Sequence, residues 1–220
     1  MVGNLVDFGR IWIMNKEEEQ KRFEAIKKIR DEVVNLKESP LYATRVKPVI
    51  GEGSYFSRIV FIGEAPGKNE SETGRPFCGA SGKILDELFK SVGIKREDVY
   101  ITNIVKDRPP NNRDPLPSEI ELYAPFLDRQ IEIIKPEIIA TLGRYSMVYI
   151  MERYGLKEEV LPISKAHGRV FETKMGYGKV KVIPLYHPAV AVYNRNMLES
   201  LKEDLRFLIE IKIKNNNILS

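Results

Sequence analysis

Five residues of this sequence are of types that do chemistry, and each stands at or just after an apolar run. Glu64 follows Ile59-Val60-Phe61-Ile62-Gly63, and Glu70 and Phe77 lie in the segment after it. Asn103 closes Tyr100-Ile101-Thr102, and His187 follows Val182-Ile183-Pro184-Leu185-Tyr186. A benzyl ring offers a stacking face, and a carboxamide reads an edge that carries both a donor and an acceptor. An imidazole can hydrogen-bond an oxygen on which charge develops, and carboxylates can order water or balance a cation. The set suits a pocket for a flat, hydrogen-bonding base. Cleavage of an N-glycosidic bond is chemistry it could assist, because the departing base gains negative charge and the sugar positive charge. Taken singly, each residue has a plainer reading: Phe77 as core, Asn103 as a turn, His187 as a strand end, and the acids as solvated loop charges. Their joint occurrence points to a site.

Such residues meet only if the fold gathers strand ends. Apolar runs over 58–63, 99–105, 138–142 and 180–186 read as buried strands. Apolar positions at three- and four-residue steps predict helices over 15–38, from about Ser81 to Val92, over 118–134 with Ser118 as its cap, over 144–154 and over 196–212. Residues 68–79 read as a loop with acids and a Gly-Arg-Pro-Phe-Cys-Gly turn, and 106–117 as a long Pro/Asn/Arg loop. The segments around His167 and 170–174 read as short edge structure. Strand and helix alternate, which predicts an α/β fold: a parallel sheet covered on both faces, with its ligand site at the carboxyl ends of the strands. Glu64, Asn103 and His187 should then converge along one edge.

Length and composition set the bounds. The 220 residues suit a single domain over 1–220, with 1–14 as an extension packed on the body or added for expression, and 214–220 as a frayed tail. No run approaches the about 20 apolar residues of a membrane span, and a single cysteine makes a reducing cytoplasm the expected compartment. A net charge of +4 and a pI near 9.0 permit nucleic-acid contact without demanding it. Charged residues make up 30% of the chain against two glutamines, a balance met in proteins of thermophiles. The one cysteine, Cys78, excludes a disulfide framework and a cysteine-rich metal site, and reads as a small buried filler. His167 reads as structural. Gly82-Lys83 is followed by Ile84 rather than Ser or Thr, and no Gly-x-Gly-x-x-Gly follows the first strand, so nucleotide-cofactor binding is disfavoured.

Gly63-Glu64-Ala65-Pro66-Gly67, Glu70, Gly74-Arg75-Pro76-Phe77-Cys78-Gly79, Tyr100-Ile101-Thr102-Asn103 with Lys106 and Arg108-Pro109-Pro110, Leu142-Gly143 and His187-Pro188-Ala189 occur in that order. In this the chain resembles the family 4 uracil-DNA glycosylases of the uracil-DNA glycosylase superfamily, from about Asp31 to Ile209. The resemblance implies a three-layer α/β/α sandwich around a four-stranded parallel sheet. It also implies an enzyme that removes uracil from DNA and leaves an abasic site, and with no lysine placed to form a Schiff base with the sugar the reaction is expected to be monofunctional. Phe77 would stack on the flipped uracil, Asn103 would read its edge, and the backbone at Ala65 would touch it. His187 would stabilise the O2 oxyanion, and Glu64 and Glu70 would position water or balance the sugar cation. Val190, Val192, Tyr193 and Arg195 would lie at the minor groove, and Arg108 and Arg113 could touch phosphate. A replication or repair clamp is the protein partner that would suit such an enzyme, which is expected to be a monomer.

The chain departs from that family in one respect. The family's four cysteines hold a four-iron four-sulfur cluster, and the matching positions here are Leu36, Ser39, Asp107 and Tyr123, none of which supplies a thiolate. The resemblance therefore implies a cofactor-free form. A smaller departure is Ser71, where the family usually has aspartate. Two rival expectations stand beside the main one: a DNA-binding paralogue with weak or no catalysis, and a glycosylase for hypoxanthine or xanthine.

Overall fold

The computed structural model describes the backbone of residues 5–216 and the side chains of residues 16–211. Its centre is β2 (Ile59–Gly63), β3 (Tyr100–Asn103), β4 (Ile138–Leu142) and β6 (Gly178–Leu185), which pair in parallel in the order β3-β2-β4-β6. Strands buried on both faces read as unbroken apolar runs, and every residue of β2 and β4 is buried. Two antiparallel strands extend this core. β1 (Glu52–Gly53) pairs with β3, and β5 (Phe171–Met175) pairs with β6, so the sheet has six strands rather than four. The alternating burial of β5 marks a half-covered edge.

Successive side chains leave a strand on opposite faces, which divides the core in two. Val60, Ile62, Tyr100 and Ile139 pack with α1 (Leu5–Val34), α4 (Pro117–Ile134) and α5 (Arg144–Arg153). Ile59, Phe61, Ile101 and Ala140 pack with α3 (Ala80–Ser91) and α8 (Met197–Asn216) on the other side. The Phe61 and Phe89 rings, 4.9 Å apart, join β2 to α3. This is a three-layer α/β/α sandwich. Three short helices complete it: α2 (Lys68–Thr73), α6 (Ile163–Ala166) and α7 (Ala189–Tyr193).

Several boundaries differ from the sequence expectation for identifiable reasons. Helix α1 starts at Leu5 and runs through Asn15, which is therefore not a cap; how the side chains of 1–14 pack lies outside the described residues. It stops at Val34, where the Asn35 side chain donates to the Asp31 carbonyl at 2.7 Å and draws the chain into a turn. Helix α4 starts at Pro117, and the carboxylate of Glu119 rather than Ser118 caps it, accepting from the Leu116 N–H at 2.8 Å. Residues 68–73 form α2, closed by Gly74 in the left-handed region. The closing helix reaches Asn216, and of the expected tail residues 217–220 lie outside the described residues.

Candidate active site

Register explains how distant residues meet. Gly63 pairs with Asn103 across β2 and β3, and Leu142 pairs with Leu185 across β4 and β6. The chain therefore leaves four strands at one edge. There a cavity of about 160 Å³ is lined by Ala65, Gly67, Glu70, Phe77, Ser81, Asn103 and His187. Five of these were expected from the sequence. Gly67 and Ser81 were not, although the short Gly67-to-Glu70 spacing at the start of α2 was there to be read.

The pocket is tightly built. The Phe77 ring lies 5.7 Å from the His187 ring at an interplanar angle of 36°. Phe77 sits at φ 48°, a left-handed conformation a bulky residue rarely adopts, and the surrounding contacts hold it there. The carboxylate oxygen Oε1 of Glu70 accepts from the N–H groups of Cys78 (2.9 Å) and Gly79 (2.8 Å), fixing the turn that carries the ring. Gly63 leaves the space the pocket needs, since a Cβ there would lie 2.4 Å from Asn103 Oδ1 and 2.6 Å from Phe77 Cζ. Asn103 is 1% exposed, and its Oδ1 is buried with no hydrogen-bond partner among the described residues.

His187 is held neutral. Burial pulls its pKa down to about 4, only partly opposed by the negative charge of Glu70. Its Nδ1 accepts from the Ala189 N–H at 3.1 Å, which leaves the proton on Nε2. The ring is thus a neutral donor in the pocket wall.

Beneath Asn103 lies a polar floor that sequence reading missed, because lysines are ordinarily exposed. Lys106 is fully buried. Its Nζ donates to Thr102 Oγ1 (2.8 Å), the Asn103 carbonyl (2.7 Å) and Gln130 Oε1 (2.6 Å), one acceptor for each ammonium proton. Burial drives its pKa well below the usual lysine value.

Not every expected residue reaches the pocket. Glu64 lines a separate cavity on the far side of the same turn, with Ile104, Arg144 and Tyr149. The Ile104 and Val105 N–H groups clamp the carbonyls of Gly63 and Glu64 (3.0 Å each), and this fixes the turn. Burial and the nearby Asp114 push the Glu64 carboxyl up to about 7. Of the residues expected at DNA, Arg113 is committed to the fully buried Glu119 carboxylate (2.6 and 2.8 Å), and Arg108 donates to Asn112 at 2.7 Å. Val190 is half-buried on the α3 and α8 side, whereas Tyr193 at the end of α7 is 89% exposed. Arg195 pairs at the surface with Glu87. His167 is structural: it pairs with Asp204 (2.9 Å) and stacks on Tyr186. Cys78 is half-buried, with Sγ 3.2 Å from Thr73 Oγ1.

The four positions matched to the cluster cysteines come together, but as a hydrogen-bonded knot. Ser39 Oγ lies 2.9 Å from the Tyr123 hydroxyl, which donates to Asp107 Oδ2. Arg45 grips the same carboxylate through Nε (2.8 Å) and Nη2 (2.5 Å), and Nη1 donates to the Val34 carbonyl at 2.7 Å. Leu36 is buried in the adjoining core. With its single carboxylate spent on a guanidinium and no sulfur ligand, this set does not fit an iron–sulfur cluster. Among the described residues, no group of three His, Cys, Asp or Glu could hold a metal ion, and no helix is long and apolar enough to cross a membrane.

Comparison with known proteins agrees with the fold. The model of the uracil DNA glycosylase superfamily matches residues 50–210. A type-4 uracil-DNA glycosylase of Sulfurisphaera tokodaii is 46% identical over 86% of each chain. That of Archaeoglobus fulgidus is 42% identical over 86% of this chain and 94% of its own. The type-4 enzyme of Thermotoga maritima is 45% identical over 71% of this chain and 78% of its own. With the same domain spanning the sheet and the pocket at its edge, the chain belongs to the uracil DNA glycosylase superfamily.

Proposed function

We propose that the protein excises uracil from DNA by hydrolysing its N-glycosidic bond. The observation that carries this reading is the orphaned Asn103 Oδ1 in a cavity faced by Phe77 and His187. A buried acceptor without a partner costs about 1–3 kcal/mol, and a ligand N–H repays it. Uracil offers such a donor at N3, whereas cytosine presents a lone pair there and would be repelled.

In this mechanism Phe77 stacks on the flipped base and Asn103 reads its N3–H and O4. The neutral His187 donates from Nε2 to O2 as the C1′–N1 bond breaks and charge moves onto the ring. Glu70 is the one carboxylate in the wall; Oε1 holds the Phe77 turn and Oε2 lies beside Gly67. Its charge balances the sugar cation while water adds hydroxide to C1′, and the remaining proton goes to the departing base. No lysine lines the pocket to form a Schiff base, so the reaction is monofunctional. Flipping costs a few kcal/mol, least from a mismatch or a single strand, which makes those the favoured substrates. Tyr193 is the wedge candidate. Arg195 can exchange Glu87 for phosphate, since exposed pairs are worth only about 0–1 kcal/mol.

Oligonucleotides with a single uracil, treated with the protein and then with alkali, test the reading directly. Cleavage at the uracil position supports it; intact strands at high protein excess favour a binding paralogue. The pH profile gives a sharper check. Because His187 protonates only near 4 instead of 6.5, single-turnover excision should stay level through the mildly acidic range and fall near 4. There the new Nδ1 proton meets the Ala189 N–H and displaces the ring. An acidic limb near 6.5 would remove the neutral-imidazole assignment.

The same reading takes the protein as free of an iron–sulfur cluster, on the strength of the knot around Asp107. Anaerobically purified protein should be colourless and contain no stoichiometric iron; a visible absorption band with iron would reject this.

A further inference from the structure

The Asn103 carboxamide lines the base pocket, yet it makes no hydrogen bond of its own among the described residues. Its aim therefore comes from its backbone. One peptide unit there is gripped at both ends. The Ile104 N–H donates to the Gly63 carbonyl at 3.0 Å, and the Asn103 carbonyl accepts from Lys106 Nζ at 2.7 Å. The first bond continues the pairing of β2 with β3. The second is unusual, because it sets a fully buried lysine against neutral groups alone. An ammonium leaves water at a high cost unless its protons are bonded, and here each of them is. Thr102 Oγ1 accepts one and gives its own proton to the Ile50 carbonyl at 2.7 Å. Gln130 Oε1 accepts another, while Gln130 Nε2 donates to the Ile50 carbonyl (2.9 Å) and to Tyr100 Oη (3.0 Å). The network ties the end of β3 to α4 and to the chain before β1.

We propose that Lys106 is a positioning residue for excision: by holding the Asn103 carbonyl it fixes the peptide that aims the base-reading amide. The proposal rests on the uracil-excision reading, which makes that amide the contact to the base. Carbonyl and side chain leave the same Cα, so a peptide free to rotate about its Cα bonds would let the strand end, and the amide with it, drift. The amide has no hydrogen bond of its own to resist that drift. For packing alone methionine would fill the space of Lys106; what it lacks is the grip on the carbonyl. Lys106 does not line the pocket, so its effect on the chemistry passes through Asn103.

Lys106→Met, alone and combined with Asn103→Ala, tests this by single-turnover excision of uracil at saturating protein. Alone it should slow excision by about 10–10²-fold, the scale of a contact misplaced by about 1 Å, with DNA affinity unchanged. In the Asn103→Ala protein it should change the rate by less than about twofold, because the residue it positions is gone. Thr102→Val removes one anchor of the same ammonium and leaves the Ile50 carbonyl its bond from Gln130. It should act in the same way more weakly, and it keeps the test valid if the methionine prevents folding. An equal loss with and without Asn103 would overturn the proposal, since a loosened fold acts in both backgrounds. So would excision by both single variants within about twofold of the unchanged protein. The side-chain amide resonances of Asn103, identified by their absence from Asn103→Ala, give a readout that needs no excision. A sharp pair in the unchanged protein that broadens or splits in Lys106→Met supports the positioning role, and an unaltered pair overturns it. If the unchanged protein releases no uracil, the uracil-excision reading fails, and these resonances still decide whether Lys106 holds Asn103.

Discussion

Replacing Asn103 by alanine is expected to lower single-turnover excision of uracil by about 10²–10³-fold, the usual cost of removing one preorganised polar group at a reacting centre. On the proposed reading the amide carries both atoms that meet N3–H and O4 of uracil and that reject cytosine, and its Oδ1 has no partner among the described residues. The effect should fall on the chemical step more than on DNA affinity, because phosphate contacts dominate the latter. The fold should survive, since Asn103 meets the Lys106 ammonium through its backbone carbonyl, which alanine keeps. Near-normal excision by Asn103→Ala would take the residue out of the site. A large loss with an unchanged unfolding midpoint would keep it there.

The second large effect concerns stability. Asp107→Ala should destabilise the protein by about 3–5 kcal/mol, because it leaves the buried Arg45 guanidinium without its carboxylate. For a chain of this size that is roughly 6–20 °C in melting temperature. Arg45 and Asp107 side chains are 8% and 1% exposed, so solvent does not screen the pair. Burial and then the Asp107 carboxylate push the Tyr123 phenol up, and at Arg45 burial is opposed and outweighed by the hydrogen bonds and charge of its partners, Asp107 first. Denaturant unfolding measures the change. Replacing Arg45, Asp107 and Tyr123 together by Met, Leu and Phe should recover much of the loss, since exchanging a whole buried ionic set for apolar packing is often near neutral. A loss below 1 kcal/mol for Asp107→Ala would mean that the knot does not hold the end of α1 to the chain after β3.

Most of the architecture was legible because a strand buried on both faces needs a continuous apolar run, and four such runs alternate with amphipathic helices. The edge strands were harder. β1 is two residues long and β5 alternates, and neither offers a run to read. Helix α2 was missed because its six residues, Lys-Asn-Glu-Ser-Glu-Thr, have no apolar period; the flanking Gly67 and Gly74 delimit it instead. The absence of thiolates at positions 36, 39, 107 and 123 could be read from the chain alone, whereas the mutual bonding of Ser39, Tyr123 and Asp107 could not.

The amino-acid sequence by itself determined the fold class and gathered the pocket: Phe77, Asn103 and His187 follow from which runs become parallel strands and where each run stops. Only the tertiary structure placed Glu64 and Glu70, both expected in one pocket, in the walls of two different cavities. The chain bends at Glu64 as it leaves β2, and with that bend Ala65 lines the base pocket and Glu64 the second cavity. The hydrogen bonds that the Ile104 and Val105 N–H groups, 41 residues away in the chain, donate to the Gly63 and Glu64 carbonyls hold that bend, and no local pattern encodes them.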